Sequence, residues 1–142
     1  MNGYLLDTNV ISELARAQPA RSVVSFINDT PLETLYLSDV VFAELRFGIE
    51  TATNPRHRER LEAWLNDTVR PMFEGRVLAV SEEVFLRWRL LLEAGRRRRV
   101  TFPQPDLFIA ATADYHGLTV VTRDISPFER AGVGVVSPWQ KA

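Results

Sequence analysis

Cysteine is absent from this 142-residue chain, which excludes disulfide bonds, thiol nucleophiles and zinc sites built on sulfur. Long apolar runs are absent too, since none approaches the roughly 20 residues that a membrane-spanning helix needs. The N-terminal segment "MNGYLLDTNV" has no basic region followed by a long apolar stretch, so we expect no secretion signal. These absences predict a cytoplasmic protein with no membrane association.

Excess charge of either sign is also missing, because the formal net charge is −1 at pH 7. Affinity for a polyanion would therefore have to come from local clusters of arginine. What remains is an ordinary globular composition, in which 46% of the residues are hydrophobic. The sequence contains neither repeats nor a linker, so we expect a single domain over residues 1–142, a length that suffices for one independent core.

Short apolar runs alternate with segments of helical periodicity along the whole chain. The predicted strands are "YLL", "ETLYLS", "RVLAV", "LTVVT" and "VGVVS", and the predicted helices lie between them. Ser38 and Ser81 are expected to cap helices, and Gly95 and Gly117 to end them. Because the strand runs are continuously apolar, we predict an α/β fold with a mostly parallel central sheet flanked by helices on both faces. In such sheets, functional groups gather beyond the carboxyl ends of the strands.

Three aspartates stand at the expected ends of elements, where each has an ordinary structural explanation. Asp7 directly follows "YLL", and Asp124 follows "LTVVTR". A helix cap explains Asp7, and a turn explains Asp124. Asp106 opens "DLFIAATA" after Pro105, which is the pattern of a helix N-cap. Viewed singly, none of the three requires a functional site.

Glu44 is more informative than the aspartates. On a helix, its neighbours one turn away are Val40, Val41, Phe47 and Gly48. Its carboxylate would then lie on an apolar stripe, where a charge is costly unless it is paired or bound to a metal. The two explanations are an ion pair with an arginine from elsewhere in the fold and a functional site.

The four acids together favour a metal site. If their carboxylates meet at one edge of the sheet, they repel one another and raise each other's pKa values. A hard divalent cation removes that penalty, and Mg²⁺ and Mn²⁺ prefer oxygen ligands. The two histidines, His57 and His116, show no metal-ligand spacing. The pattern therefore indicates phosphoryl chemistry, in which a bound metal orients or activates water.

Four segments, taken in order, resemble the PIN-domain ribonucleases. They are "LLDTNVISEL", "FAELRFGIE", "PDLFIAATADYHGLTVVTRD" and "VGVVSPW". The resemblance is strongest to the VapC-type toxins of bacterial toxin–antitoxin pairs, in the FitB-like branch, and it runs from Tyr4 to Trp139. It implies a PIN-like three-layer α/β/α fold and a Mg²⁺- or Mn²⁺-dependent endoribonuclease.

The resemblance also implies roles for the acids. The four that match the catalytic acids of the family are Asp7, Glu44, Asp106 and Asp124. Asp7 and Asp106 are the expected direct metal ligands, and Glu44 and Asp124 are further candidates. Water would then attack an RNA phosphodiester bond in line, without a covalent enzyme intermediate.

Two polar residues match positions that orient the acids in the family. They are Asn9, in "LLDTN", and Thr122, in "VVTRD", and a hydrogen-bonding role beside the ligands is expected for both. Many relatives carry a further aspartate just after the fourth acid, where this chain has Pro127. The role of the fourth acid therefore rests on Asp124.

The run "RRRR" is the candidate for gripping RNA phosphates. It comprises Arg96, Arg97, Arg98 and Arg99 and precedes the segment that leads to Asp106. The alternative is a solvated, charged loop after a helix. Several large apolar residues exceed what one core is expected to hold, and some of them are expected to cover a neighbouring subunit or partner: Trp64, Phe73, Phe85 and Trp88.

The resemblance implies partners as well. Family members form homodimers and bind a small VapB-type antitoxin, whose tail blocks the acid site and through which promoter DNA is bound indirectly. An arginine of that tail is a suitable inhibitor because it replaces the cation among the carboxylates.

Two alternative functions remain. One is a non-catalytic PIN-like module that binds RNA or protein. The other, in which Asp7 accepts a phosphate, is disfavoured because the second residue after it is Asn9 and the only lysine is Lys141.

Overall fold

Five parallel strands form the centre of the computed structural model, which describes residues 2–139. They are β1 (Tyr4–Leu6), β2 (Leu35–Ser38), β3 (Val77–Leu78), β4 (Thr119–Val121) and β5 (Val135–Val136). Their order across the sheet is β3-β2-β1-β4-β5, and each neighbouring pair is parallel. Parallel neighbours require crossover connections, which the helices supply. The predicted fold class is therefore confirmed.

Eight α-helices connect the strands within the described residues. They are α1 (Thr8–Leu14), α2 (Arg21–Asp29), α3 (Asp39–Glu50), α4 (Pro55–Trp64), α5 (Arg70–Met72), α6 (Glu82–Arg97), α7 (Gln104–His116) and α8 (Ser126–Ala131). A 3₁₀ turn (Leu32–Thr34) precedes β2, and a π-helical turn (Leu65–Val69) joins α4 to α5. In residues 2–139, no helix combines the length and the apolar character needed to cross a bilayer.

The central strands are buried on both faces. Leu5 and Leu6 are consecutive in β1, and neither is exposed to solvent. The same is true of Val120 and Val121 in β4. Because successive side chains of a strand point to opposite faces, helices must cover both sides of the sheet. Burying each leucine contributes roughly 1.5–3 kcal/mol, so these short strands are fixed mainly by packing.

Three of the four predicted helix caps and stops are correct. Ser38 and Ser81 cap α3 and α6 as predicted, by accepting hydrogen bonds from the third residue beyond each of them. Gly117 ends α7 in the left-handed conformation, with φ of 67°. The prediction for Gly95 is wrong, since α6 continues to Arg97. Gly95 instead lies buried where the returning chain packs against the helix.

The amphipathic segment "PRHRERLEAWLNDTVRPMF" does not form one continuous helix. After Trp64 the chain makes the π-helical turn and then begins α5, which carries Pro71 in its first turn. Proline has no N–H to donate, and its ring crowds the preceding turn. A local widening of the helix just before it relieves that conflict.

The large apolar residues singled out in the sequence divide between core and surface. Phe73 is buried in the core, and Trp64 packs against the core from its edge. Phe85 is 49% exposed, and Trp88 stacks on Phe108 with ring centroids 4.7 Å apart. As expected, the core does not hold all four residues, because Phe85 lies largely on the surface.

Two helical glycines allow a matched test of packing. We expect Gly95→Ala to reduce the free energy of unfolding by about 1–3 kcal/mol, as over-packing does. The added Cβ would lie 2.6 Å from the Phe102 ring and 3.0 Å from the Val100 carbonyl oxygen. The control is Gly48→Ala in α3, where the added Cβ would meet no atom within 4 Å beyond its chain neighbours and its own helix backbone, and helix propensity gives a gain of up to about 1 kcal/mol. Urea unfolding measures both changes, and the same sign for the two variants would contradict this account.

Candidate active site

Asp7 lies at the junction of β1, β4 and α1. Its backbone N–H donates to the Val121 carbonyl oxygen at 2.9 Å, which ties it to the end of β4. Its side chain caps α1, with Oδ1 accepting from the Thr8 N–H at 2.7 Å. The capping explanation is therefore correct, but it uses only one carboxylate oxygen. The whole residue is only 6% exposed, so the fold holds a buried acid at the carboxyl edge of the sheet.

The second oxygen of Asp7 is held by a short chain of hydrogen bonds. Thr122 donates its hydroxyl to Asp7 Oδ2 at 2.8 Å. Asn9 donates from Nδ2 to Thr122 Oγ1 at 3.1 Å, and its Oδ1 accepts from the Arg123 N–H at 3.2 Å. Thr122 is fully buried. The carboxylate thus has a defined orientation, set by the two polar residues for which the sequence predicted this kind of contact.

An open pocket of about 640 Å³ lies in front of Asp7. Three of the four predicted acids line it: Asp7, Glu44 and Asp106. Asp106 comes from the first turn of α7, which begins at Gln104 with Pro103 at the N-cap. The N-cap explanation of Asp106 is therefore wrong, because its carboxylate does not cap α7.

Glu44 reaches the same pocket from α3. The apolar stripe expected around it is only partly buried. Val41 is fully buried, but Phe47 is 67% exposed and Gly48 is exposed. Burial therefore does not force Glu44 to pair, and among the described residues it takes part in no ion pair.

Asp124 stands apart from the other three acids. It is exposed, and its Oδ1 accepts from the Ser126 N–H at 3.2 Å. This is the turn that the ordinary explanation predicted, just before α8. Its charge nevertheless raises the pKa values of Asp7 and Asp106. Asp124 is therefore an electrostatic neighbour of the pocket rather than one of its walls.

Burial and repulsion between carboxylates raise the pKa values of Asp7 and Asp106. Burial is the main cause that raises the pKa of Asp106 to about 6, and the charges of Asp7, Asp124 and Glu44 raise it further in that order. Burial also raises the pKa of Asp7, against the lowering effect of the hydrogen bonds from Thr122 and Thr8. Such shifts mark a place where a positive charge is favoured.

The donor set fits a hydrated divalent cation rather than a closed cage. Within residues 2–139, no three or more Asp, Glu or His side chains are close enough together to enclose a metal ion. Mg²⁺ requires no such cage, because it usually keeps several waters and takes one or two carboxylates. Thr8 also lines the pocket, and its hydroxyl is buried without a partner among the described residues. Such an oxygen suits a hydrogen bond to a bound water.

Two arginines line the acid pocket, and the sequence did not single them out. They are Arg16, from the end of α1, and Arg123, which follows β4. Glu13, only 5% exposed, accepts from Arg16 Nη1 at 3.2 Å and from the Ala20 N–H at 2.9 Å. The spacing of three residues between Glu13 and Arg16 was a local signal for this ion pair, although α1 ends before Arg16. The approach of Arg123 to the pocket depends on tertiary structure and left no local signal.

The predicted arginine run lies elsewhere. None of Arg96, Arg97, Arg98 and Arg99 lines the acid pocket. Arg96 and Arg97 pair with Glu93 on the preceding turn of α6, and Arg98 donates to the Arg130 carbonyl oxygen. Much of the charge of this run is therefore engaged locally.

Comparisons with known proteins agree over nearly the whole chain. The family model of the PIN domain matches residues 4–134. VapC ribonuclease Y4jK of Sinorhizobium fredii is 41% identical over 138 residues, which cover 97% of this chain and 99% of that protein. Toxin FitB of Neisseria gonorrhoeae is 39% identical over 135 residues, covering 95% and 97%. The solved structure of FitAB bound to the IR36 DNA fragment contains a chain that superposes with a TM-score of 0.91, at 36% identity and with coverage of 98% and 97%.

The raised pKa of Asp106 predicts a pH-dependent stability. The folded protein binds a proton at this carboxyl more tightly than an ordinary aspartate does, whose pKa is 3.8. Protonation therefore favours the folded state, and that stabilisation is lost as the pH rises from about 4 through 6. Asp106→Asn, which stays neutral, should raise the free energy of unfolding above pH 6 by on the order of 1 kcal/mol, a value reduced for partial exposure.

Urea unfolding in EDTA at pH 4 and at pH 8 measures this effect. The gain in Asp106→Asn should appear at pH 8 and be small at pH 4. Asp114→Asn is the control, since Asp114 lies on the same helix outside the pocket and pairs with Arg87. A stabilisation of Asp106→Asn that is equal at both pH values would contradict the assigned repulsion.

Proposed function

The chain belongs to the PIN-domain family, and we propose that it is an endoribonuclease acting as the toxin of a toxin–antitoxin pair. It hydrolyses RNA phosphodiester bonds at a site that uses Mg²⁺ or Mn²⁺. The observation that carries the proposal is the pocket into which Asp7, Glu44 and Asp106 project from three different elements. Support comes from the relatives named VapC ribonuclease Y4jK and Toxin FitB, which match along nearly their whole length.

In the proposed chemistry the acids bind the metal, and Thr8 and Thr122 orient the Asp7 carboxylate. Asp7 and Asp106 would hold the metal, with Glu44 of the same pocket as a further contributor, and Asp124 would add negative charge from outside the pocket. The bound metal supplies charge stabilisation for the phosphate and activates water. Thr8 and Thr122 hold the Asp7 carboxylate by one hydrogen bond to each oxygen, so its orientation needs no adjustment when substrate arrives.

The arginines of the pocket are suited to the RNA backbone. Arg16 and Arg123 line the same cavity as the acids, and each carries several N–H donors that match phosphate oxygens. A phosphate that reaches the acids meets positive charge from these side chains, which offsets part of the repulsion from the carboxylates. They position the strand, while the acids serve the bond that is cut.

We also infer a protein partner of the VapB antitoxin type and a homodimer. Support comes from the structural neighbour, since FitAB was solved as a complex bound to a DNA fragment. An arginine from such a partner suits the pocket for the same electrostatic reason as the metal. In this scheme the chain meets promoter DNA only through its partner.

The second candidate function is a binding module without catalysis, which would bind RNA or a protein partner and would need no metal. The two functions differ in one measurable property, which is metal-dependent cleavage.

Cleavage of single-stranded RNA by the partner-free protein tests the main proposal. We expect Mg²⁺ or Mn²⁺ to be required and EDTA to stop the reaction. Asp7→Asn should lower the rate by on the order of a hundredfold or more, because charge stabilisation worth several kcal/mol is lost. Glu50→Gln is the control, since Glu50 lies on the same helix as Glu44 but outside the acid pocket. Absence of metal-dependent cleavage by the wild-type protein would favour the binding module instead.

Thermal unfolding tests the metal site without using activity. Millimolar Mg²⁺ or Mn²⁺ should raise the Tm of the wild-type protein by a few degrees, because a ligand that binds only the folded state stabilises it. The rise should be smaller in Asp106→Asn, which removes one charge from the donor set. A Tm that does not respond to either ion up to about ten millimolar would refute the metal assignment.

A further inference from the structure

A second cavity adjoins the acid pocket. It is a groove of about 560 Å³ between the end of α1 and the helix α4, a volume in the range of small-ligand sites. Ser12 and Arg16 line both this groove and the acid pocket. A chain that passes through the acid pocket can therefore continue directly into the groove.

The interior of the groove is apolar and contains one aromatic surface. Leu61 and Trp64 line it from α4, and Ala15 and Ala17 from the opposite side. Trp64 packs against the hydrophobic core yet stays partly exposed. Trp64 is thus anchored by the fold, and its exposed part lines the groove. Stacking on such a preformed surface is how single-stranded nucleic acids are commonly bound without reading their sequence.

The rim of the groove is basic. Among the described residues, every ionisable side chain that lines it is an arginine or histidine: Arg16, His57 and Arg60. Arg60 Nη2 lies 3.1 Å from His57 Nδ1, so the two side chains are neighbours on the rim. Local positive charge beside an acid pocket, in a chain whose net charge is −1, is complementary to phosphates.

Arg16 is anchored at the boundary between the two cavities. Its partner Glu13 is 5% exposed and is itself held by the Ala20 N–H at 2.9 Å. The Arg16 side chain is 64% exposed, and it contacts Glu13 through a single nitrogen, Nη1. Its remaining N–H donors are therefore free to meet a phosphate that spans the boundary.

We propose that this groove is a subsite for the nucleotide next to the scissile bond of a single-stranded RNA. The base lies against Trp64 and Leu61, and Arg16 and Arg60 bind the flanking phosphates. A base is favoured over a peptide side chain because the groove combines an aromatic surface with a wholly basic rim and adjoins the proposed catalytic acids. The inference rests on the proposed function and adds to it the path of the substrate.

Arg60→Gln tests the phosphate contact. The substrate is a single-stranded RNA oligonucleotide of mixed sequence that the wild-type protein cuts in Mg²⁺. We expect KM to rise about fivefold to tenfold with kcat nearly unchanged, since the contact exists before and during the reaction. The slope of log affinity against log salt should fall by about 0.7, the value for one phosphate contact on a single strand. Arg56→Gln is the control, because Arg56 lies on the same helix and does not line the groove.

Trp64→Leu tests the base contact, together with an abasic nucleotide placed in turn at each position flanking the cut bond. One such position should raise KM for the wild-type protein by about tenfold, as loss of a stacked base does. In Trp64→Leu, which keeps an apolar side chain at this position, that abasic penalty should disappear. A purely structural role for Trp64 would leave the abasic penalty intact, so the two changes would add.

The outcomes separate this inference from the function on which it rests. If the wild-type protein cuts RNA but the groove variants leave KM, salt slope and abasic penalty unchanged, the subsite is refuted and the nuclease stands. If the variants weaken only the inhibition by a protein partner, the groove is a peptide site and the inference is again wrong. If the wild-type protein cuts no RNA with either metal, both proposals fall.

Discussion

The buried carboxylate of Asp7 is the constraint on which the site depends. Burial disfavours its charge, and the hydrogen bonds from Thr8 and Thr122 offset only part of that cost, so its pKa remains raised. The same contacts fix the carboxylate where β1, β4 and α1 meet. Because the charged form of Asp7 remains disfavoured, a cation that binds next to this fixed carboxylate is favoured. Architecture and chemistry are therefore linked through one side chain.

In the described part of the chain, acidic side chains line the pocket but not the adjoining groove. Asp7, Glu44 and Asp106 line its wall together with Arg16 and Arg123, and the adjoining groove has only basic ionisable groups among the described residues. A polyanion is attracted along the groove but repelled at the acids unless a cation is present there. A metal ion or an inserted arginine would satisfy this condition, and of the two only a metal would supply the charge that activates a water. The same electrostatics accounts for proposed activity and for proposed inhibition.

The sequence predicted what local periodicity and charge placement determine. The parallel sheet followed from continuously apolar strands such as that of Leu5 and Leu6, and the pocket contains three of the four acids that were singled out. Gly95 was misread because a buried glycine in a helix looks like a helix end until its packing against Phe102 is known. Arg123 was missed because its position depends on residues far along the chain. Local rules thus predict elements, whereas cavities depend on how the elements pack.

The position of Asp106 shows how packing sets the spacing of the acids. Asp7 is held by hydrogen bonds, but Asp106 is carried by α7, whose small residues Ala110, Ala111 and Ala113 are each at most 1% exposed. Small side chains let a helix approach its neighbours closely, so the distance between the two acids is a property of this packed face. A larger residue there would displace α7 and move Asp106 without touching it. Burial, followed by the charge of Asp7, raises the pKa of Asp106, so its electrostatics depends on where α7 places it.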